Sequence, residues 1–365
     1  MALLWCDGFD SSSSRRYISK YHVWANGFFP SYIAGRISGL AAVISWPNSI
    51  FRRKLLLRHK LNLGSNTIIC GAAFQISGNT GEGDVFAFYL GEEFQGALKC
   101  AIQADSNFVR FRVVDANGAT LETETADFPN ANFTFFPAAA WYYIEFKYTF
   151  DTVNGAFEVR IDGAPVITSS IAYNTDPKAI GSCDRVGCGP DTVNAVSLGI
   201  DDFYILDDTG APLNDFLAVD AGGVEVNRLS VDGDGAVAQW QQAENGSFGH
   251  FQSAQSIDQD EWLFVEDAAG GERSLFTFTN LTSIDQAILG VQVNTIGMKY
   301  QGESSQQYRV VYRQPSDGQV GLGNSVAPAA YAETLRYVIM ETNPVDSTVF
   351  DLTEINDGQW GVEAV

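Results

Sequence analysis

Positive charge is scarce in this chain: 22 lysines and arginines stand against 44 aspartates and glutamates in 365 residues, a formal net charge of −22. A field of that sign repels phosphate backbones and anionic headgroups, which argues against nucleic acid and membranes as partners. Long apolar runs are missing as well, and no stretch suits a membrane-spanning helix. Met1–Gly8 lacks the basic start and extended apolar centre of a secretory leader, so assembly in a reducing cytoplasm is expected. Histidine is limited to His22, His59 and His250, with no i,i+4 pair and no nucleophile beside any of them. Neither a zinc hydrolase nor a Ser-His-Asp triad is expected from them. No glycine loop ending in Lys-Ser/Thr and no dinucleotide fingerprint occurs. Cysteine comes in an odd number, Cys6, Cys70, Cys100, Cys183 and Cys188, and the Cys183-x4-Cys188 spacing matches no zinc pattern. These read as buried thiols; a Cys183–Cys188 loop disulfide is the alternative.

What is present is apolar and aromatic. Hydrophobic residues make up 45% and aromatics 13%, against only 18% charged, which is ample for a folded core. Short runs rich in Val, Ile, Phe, Tyr and Thr recur between Gly, Asn and Asp, among them Asn66–Ile76, Val85–Leu90, Ala97–Gln103, Phe108–Val114 and Trp141–Phe150. Phe157–Ile161 alternates apolar and charged residues, the mark of a strand covered on one face. Asn117-Gly118, Asn154-Gly155 and Asp162-Gly163 offer the positive-φ residues that tight turns need. This rhythm predicts an all-β protein, an antiparallel jelly-roll sandwich, because a parallel sheet needs a crossover helix after each strand. The predicted organisation is a jelly roll over 1–220, an extended polar connector over 221–260 and a smaller β-rich domain over 261–365. Asp346–Ile355 is the one segment that reads as a short helix or turn.

Few residues look chemical. A glycosidase on a sandwich needs two carboxylates facing one cleft, and Glu122 and Glu124 sit two apart on one predicted strand. Their surroundings lack aromatics, so two solvated glutamates is the expectation, with no catalytic residue and no enzymatic activity. Asp232-Gly-Asp234-Gly235 resembles the start of a calcium loop, but Ala243 stands where the bidentate acid belongs, so a flexible linker is expected. Asp201 and Asp202 lie inside the predicted strand Val196–Leu206. One of them must turn inward, which makes the pair the candidate site for a Ca2+ ion; no other cofactor is expected. The basic run Arg52, Arg53, Lys54, Arg58 and Lys60 stands out in an acidic chain and reads as a subunit contact or a solvated strand face. The aromatics at Phe133, Phe135, Phe136, Trp141, Tyr142, Tyr143, Phe146, Tyr148 and Phe150 read as core packing rather than a sugar platform.

Three segments, Trp141–Asp151, Gly155–Gly163 and Ile200–Gly210, together resemble the laminin G/concanavalin A-like jelly roll. The version found in structural proteins of tailed bacteriophages is the most similar. Such proteins often open with Asp-Gly-Phe-Asp, here Asp7–Asp10, and continue with Gly-Arg-x-x-Gly, here Gly35–Gly39. Val226–Gly235, Val291–Asn294 and the terminal stretch from Glu341–Pro344 through Gly361-Val362 are similar to their second region. The resemblance implies a non-enzymatic virion component, tail-associated or decorating the capsid. It would assemble in the host cytoplasm as a homo-oligomer beside other virion proteins. A carbohydrate-binding adhesin that contacts host surface glycans is the alternative it implies.

Overall fold

The computed structural model describes residues 3–9, 20–24, 31–37, 39–44, 54–57, 60–78, 81–102, 109–126, 140–169, 171–190, 196–210, 213–218, 222–242, 249–255, 263–264, 270–281, 287–299, 306–330 and 334–365. Two units divide the chain, Met1–Val226 and Asn227–Val365. The first is built from β1 (Leu3–Asp7), β2 (Tyr21–Trp24), β3 (Ser31–Ala34), β4 (Leu40–Ile44), β5 (Lys54–Leu57), β6 (Thr67–Gly78), β7 (Gly81–Leu90) and β8 (Glu93–Ile102). It continues with β9 (Val109–Val114), β10 (Thr120–Ala126), β11 (Tyr142–Thr149), β12 (Phe157–Ile161), β13 (Ala164–Thr168), β14 (Arg185–Pro190) and β15 (Val196–Asp207). One sheet runs β13-β12-β11-β6-β15-β4-β3, with β1 also on β15; the other runs β10-β9-β8-β7-β14-β5-β2. This is the antiparallel jelly-roll sandwich that the strand rhythm predicts.

The core lies between these sheets. Phe74 of β6 meets Phe86 of β7 edge to face at 5.3 Å, and Phe88 of β7 stacks on Phe146 of β11 at 5.5 Å. Tyr148 and Phe150 close the cluster. Each such ring contributes on the order of 2 kcal/mol by leaving water. Of the aromatic run, Tyr143, Phe146, Tyr148 and Phe150 are therefore buried, while Trp141 and Tyr142 keep part of their surface; Phe133, Phe135 and Phe136 lie outside the described residues. All five cysteines are free thiols, Cys183 and Cys188 included. Asp162-Gly163 makes the predicted tight turn, with φ of 51° and 77°. Asn154-Gly155 works differently. Gly155 pairs with Tyr173, and a Cβ there would come within 2.0 Å of the Thr175 hydroxyl, so glycine is needed for close approach rather than for a positive φ.

The segment after β15 returns across the outer side of the first sheet, at 213–218 and 222–226, and side chains hold it there. Glu145 Oε1 accepts the Tyr204 hydroxyl at 2.5 Å and the Leu217 and Ala218 amides at 3.0 and 2.9 Å. Arg36 donates Nε to Asp202 at 2.8 Å and its two terminal nitrogens to the Gly222 and Val224 carbonyls at 2.6 Å. Asp202 accepts Val226 N at 2.8 Å, and Asp201 accepts Arg36 N at 2.8 Å. A β-bulge between Asp201 and Tyr204, with Asp202 at φ 51°, lets both neighbouring carboxylates reach these donors. The structure thus supplies a guanidinium where the sequence suggested Ca2+. Among the described residues no cluster of three or more His, Cys, Asp or Glu forms a metal cage.

The second unit is built from β16 (Val231–Ala238), β17 (Gln241–Gln242), α1 (His250–Gln255), β18 (Leu263–Phe264), β19 (Arg273–Phe278), β20 (Val291–Lys299) and β21 (Tyr308–Arg313). It ends with β22 (Val320–Val326), β23 (Ala329–Ala330), β24 (Thr334–Met340), α2 (Leu352–Asp357) and β25 (Gln359–Ala364). A β16-β19-β25-β21-β22 sheet and a β23-β20-β24 sheet enclose Val310, Tyr312, Val338, Met340, Phe350, Ile355 and Trp360. Where the composition suggested a connector, β16 pairs with β19. Asp232 accepts the Thr277 hydroxyl at 2.8 Å, so the Asp/Gly stretch is an edge strand, neither linker nor calcium loop. The helix foreseen near 346–355 is α2, started by a capping box between Asp351 and Glu354.

Candidate functional site

On the outer face of the seven-stranded sheet, charged side chains fall into one cross-strand row. Asp84 stands opposite Lys99, Lys99 opposite Arg112, and Arg112 opposite Thr123. Glu82 and Arg110 follow one row along, facing Ala101 from its two sides. A bulge between Asp84 and Phe86 is what places them. It lets β7 send Phe86 and Phe88 inward while Glu82 and Asp84 both point out.

The row is costly by itself, because Lys99 and Arg112 are like charges directly opposite each other. The two carboxylates offset that cost. Asp84, with no exposed surface, meets Lys99 Nζ at 3.0 Å. Glu82 accepts two hydrogen bonds from Arg112 and lies 3.8 Å from Lys99 Nζ. Exposure is graded: the Glu82 and Arg112 side chains keep 20% and 34% of their surface, Lys99 only 12%. Beneath the row, burial and the Asp84 and Glu82 charges push the Cys100 thiol up to about 12, so it stays protonated and inert. Fixed carboxylates beside fixed cations can bind hydroxyls, hold an anionic group and move a proton at Glu82.

The residues singled out from the sequence lie elsewhere. Glu122 stands opposite Val113, on the other side of the sheet from the row, and accepts the Tyr173 hydroxyl. Glu124 faces Phe111 in the ladder, and its side chain lies outside the described residues. Of the basic run, Arg52, Arg53 and Arg58 lie outside the described residues, Lys54 begins β5, and exposed Lys60 pairs with Asp184 at 3.4 Å. The sequence signal for the charged row is the two-residue spacing of Glu82 and Asp84, and of Arg110 and Arg112.

One histidine does meet a hydroxyl, contrary to expectation. His250 Nδ1 lies 2.7 Å from Asp234 Oδ1 and Nε2 lies 3.1 Å from Ser274 Oγ. Sequence spacing could not reveal this, since three separate elements supply the residues. The order matches a nucleophilic triad, but Ser274 has no exposed surface and Oγ also accepts Trp240 N at 3.0 Å. With no path for a substrate, the chain of bonds serves to fasten α1 onto the sheet.

No family model and no curated protein sequence matches the chain. Solved structures do resemble it. A GH131 β-glucanase catalytic domain from Podospora anserina is 14% identical over 60% of this chain and 99% of its own, with a TM-score of 0.37. A carbohydrate esterase from the Shiga toxin-encoding bacteriophage phi24B is 15% identical over 56% and 96%, at 0.38. The alginate lyase Aly36B is 11% identical over 57% and 93%, at 0.36. The expectation of a non-enzymatic virion component is corrected here, because the similar structures are in the main glucanases, alginate lyases and hydrolases. The architecture, an all-β jelly-roll sandwich, rests on the chain's own antiparallel sheets.

Proposed function

We propose that the first unit binds and cleaves a polysaccharide on the outer face of β7–β9, with Glu82 as the proton-transferring residue. The observation that carries this reading is the row itself. A carboxylate with exposed surface sits at a fixed place beside Arg112 and Lys99, on the broad face of a sandwich. Arg112 and Lys99 hold Glu82 and bind the saccharide next to it; Asp84, fully buried, is a positioning residue that acts through the Lys99 ammonium. Glu82 acts as the base: it takes a proton from an attacking water, which bonds the anomeric carbon as the glycosidic C–O bond breaks, or it takes the proton beside a sugar carboxylate, with the neighbouring C–O bond breaking to leave a double bond; in either case solvent water supplies the proton of the departing oxygen.

The test is a panel of neutral and acidic polysaccharides incubated with the full chain, scored for new reducing ends and for ultraviolet absorbance of an unsaturated product. One substrate is expected to be cleaved, and Glu82→Gln to slow it by at least about 100-fold. Undiminished turnover by Glu82→Gln, or no binding and no cleavage of any polysaccharide, overturns the reading.

A further inference from the structure

Farther along the same sheet face stands an arginine with no counter-charge among the described residues. Arg185 opens β14 directly opposite Tyr89 of β7, and Tyr89 in turn stands opposite Phe94 of β8. Tyr89 belongs to a small apolar cluster with Leu56, Ala87, Ala97 and Val114, against which Phe94 packs. Val186 and Phe88, one position on, form the core-facing pair, so Arg185 lies on the outer side. Among the described residues Arg185 has no hydrogen-bond or ion-pair partner; the side chain is half-buried and its Nε is buried outright.

That is unusual in a chain with twice as many acids as bases, 44 against 22. The acid next to it is committed elsewhere: Asp184 accepts Gly91 N at 2.8 Å and meets Lys60 at 3.4 Å. A buried guanidinium N–H with no acceptor is destabilising, and such a group is retained where something else supplies the acceptor. The planar fork of arginine matches a carboxylate in a two-point contact, which an ammonium cannot reproduce.

We infer that Arg185 is the anchor for a sugar carboxylate, so that the polysaccharide bound on this face is an acidic one. The inference rests on the saccharide reading of the Glu82 row and adds the substrate class. Arg185 lies four positions along β14 from Gly189, which stands opposite Asp84. That places the anchor about 13 Å from the row at strand rise, at a separate point along a bound chain. The net charge that argues against phosphate polymers acts on an acidic saccharide too, and the Arg185 guanidinium opposes it locally at the point of contact.

The experiment uses the full chain carrying Glu82→Gln, so that ligand is bound without turnover. Calorimetry compares an oligouronate of four residues with its carboxyl-reduced counterpart, which carries a neutral hydroxymethyl group in place of each carboxylate. The oligouronate is expected to bind at least tenfold more tightly. Adding Arg185→Met collapses that ratio toward one, and Arg185→Lys restores only part of it. The melting temperature of Arg185→Met stays level or rises, since the side chain removed has no partner among the described residues. Equal affinity for the two oligosaccharides, or a ratio untouched by Arg185→Met, overturns the anchor alone. Failure of both to bind overturns the saccharide reading and the anchor with it.

Discussion

Glu145 shows how much one residue can depend on chain far away. It sits on β11 with no exposed surface; Oε1 takes three donors and Oε2 has no hydrogen-bond partner among the described residues. Burial raises its carboxyl above the ordinary value of 4.5, and the Tyr204, Ala218 and Leu217 donors and nearby Arg160 only partly oppose that. A raised carboxyl favours folding at low pH. Its contribution is therefore fully present below about 4.5 and is lost as pH rises through the higher folded value. Glu145→Gln is expected to flatten the pH dependence of the melting temperature from pH 4.5 upward; an unchanged slope would contradict this. None of this is legible in the sequence, because the Leu217 donor lies 72 residues downstream. Glu82 and Asp84 were missed for a different reason. The bulge after Asp84 breaks the two-residue period, so the glycine-flanked start of β7 reads as a turn and the strand reads as beginning at Val85.

Among elements, the returning segment 213–226 matters most, and Arg36 is its chief fastening. Besides its three hydrogen bonds, the guanidinium lies 5.3 Å from the centre of the Tyr143 ring. Arg36→Met leaves buried Asp202 without its cation, which costs about 3 kcal/mol. Hydrogen exchange should rise first at 213–218 and 222–226 and leave the β6–β11 pairing protected; uniform loosening would argue against a local fastening. The Gly-Arg-x-x-Gly and Asp-Asp motifs stood out in the sequence, yet their meeting could not be seen there. They are separated by 165 positions, and an unpaired acidic pair suggests an ion as readily as an arginine. Strands with clean alternation were easier to read. Phe157–Ile161 folds as its pattern says, whereas β16 was hidden by its glycines and aspartates, which suit a linker until a neighbouring strand covers them.

At the scale of the whole molecule, the sandwich was readable because turn chemistry and strand spacing are local, and its charged face was not, because it exists only once four strands align. Fold also says little about function; the same layers could present surface or chemistry, and the difference lies in a few side chains. The division between units is equally a tertiary fact. Composition changes near residue 220, but Gly222, Val224 and Val226 still bond to the first unit. A chain ending at residue 220 should therefore melt roughly 5 °C below one ending at residue 226, which keeps those charge-assisted bonds. Equal melting temperatures would place the true edge earlier. The same bonds have a mechanical meaning. Residue 227 opens the second unit directly after the Val226–Asp202 bond, so tension arriving through that unit loads the Asp202–Arg36 clasp before it reaches any rung of β15.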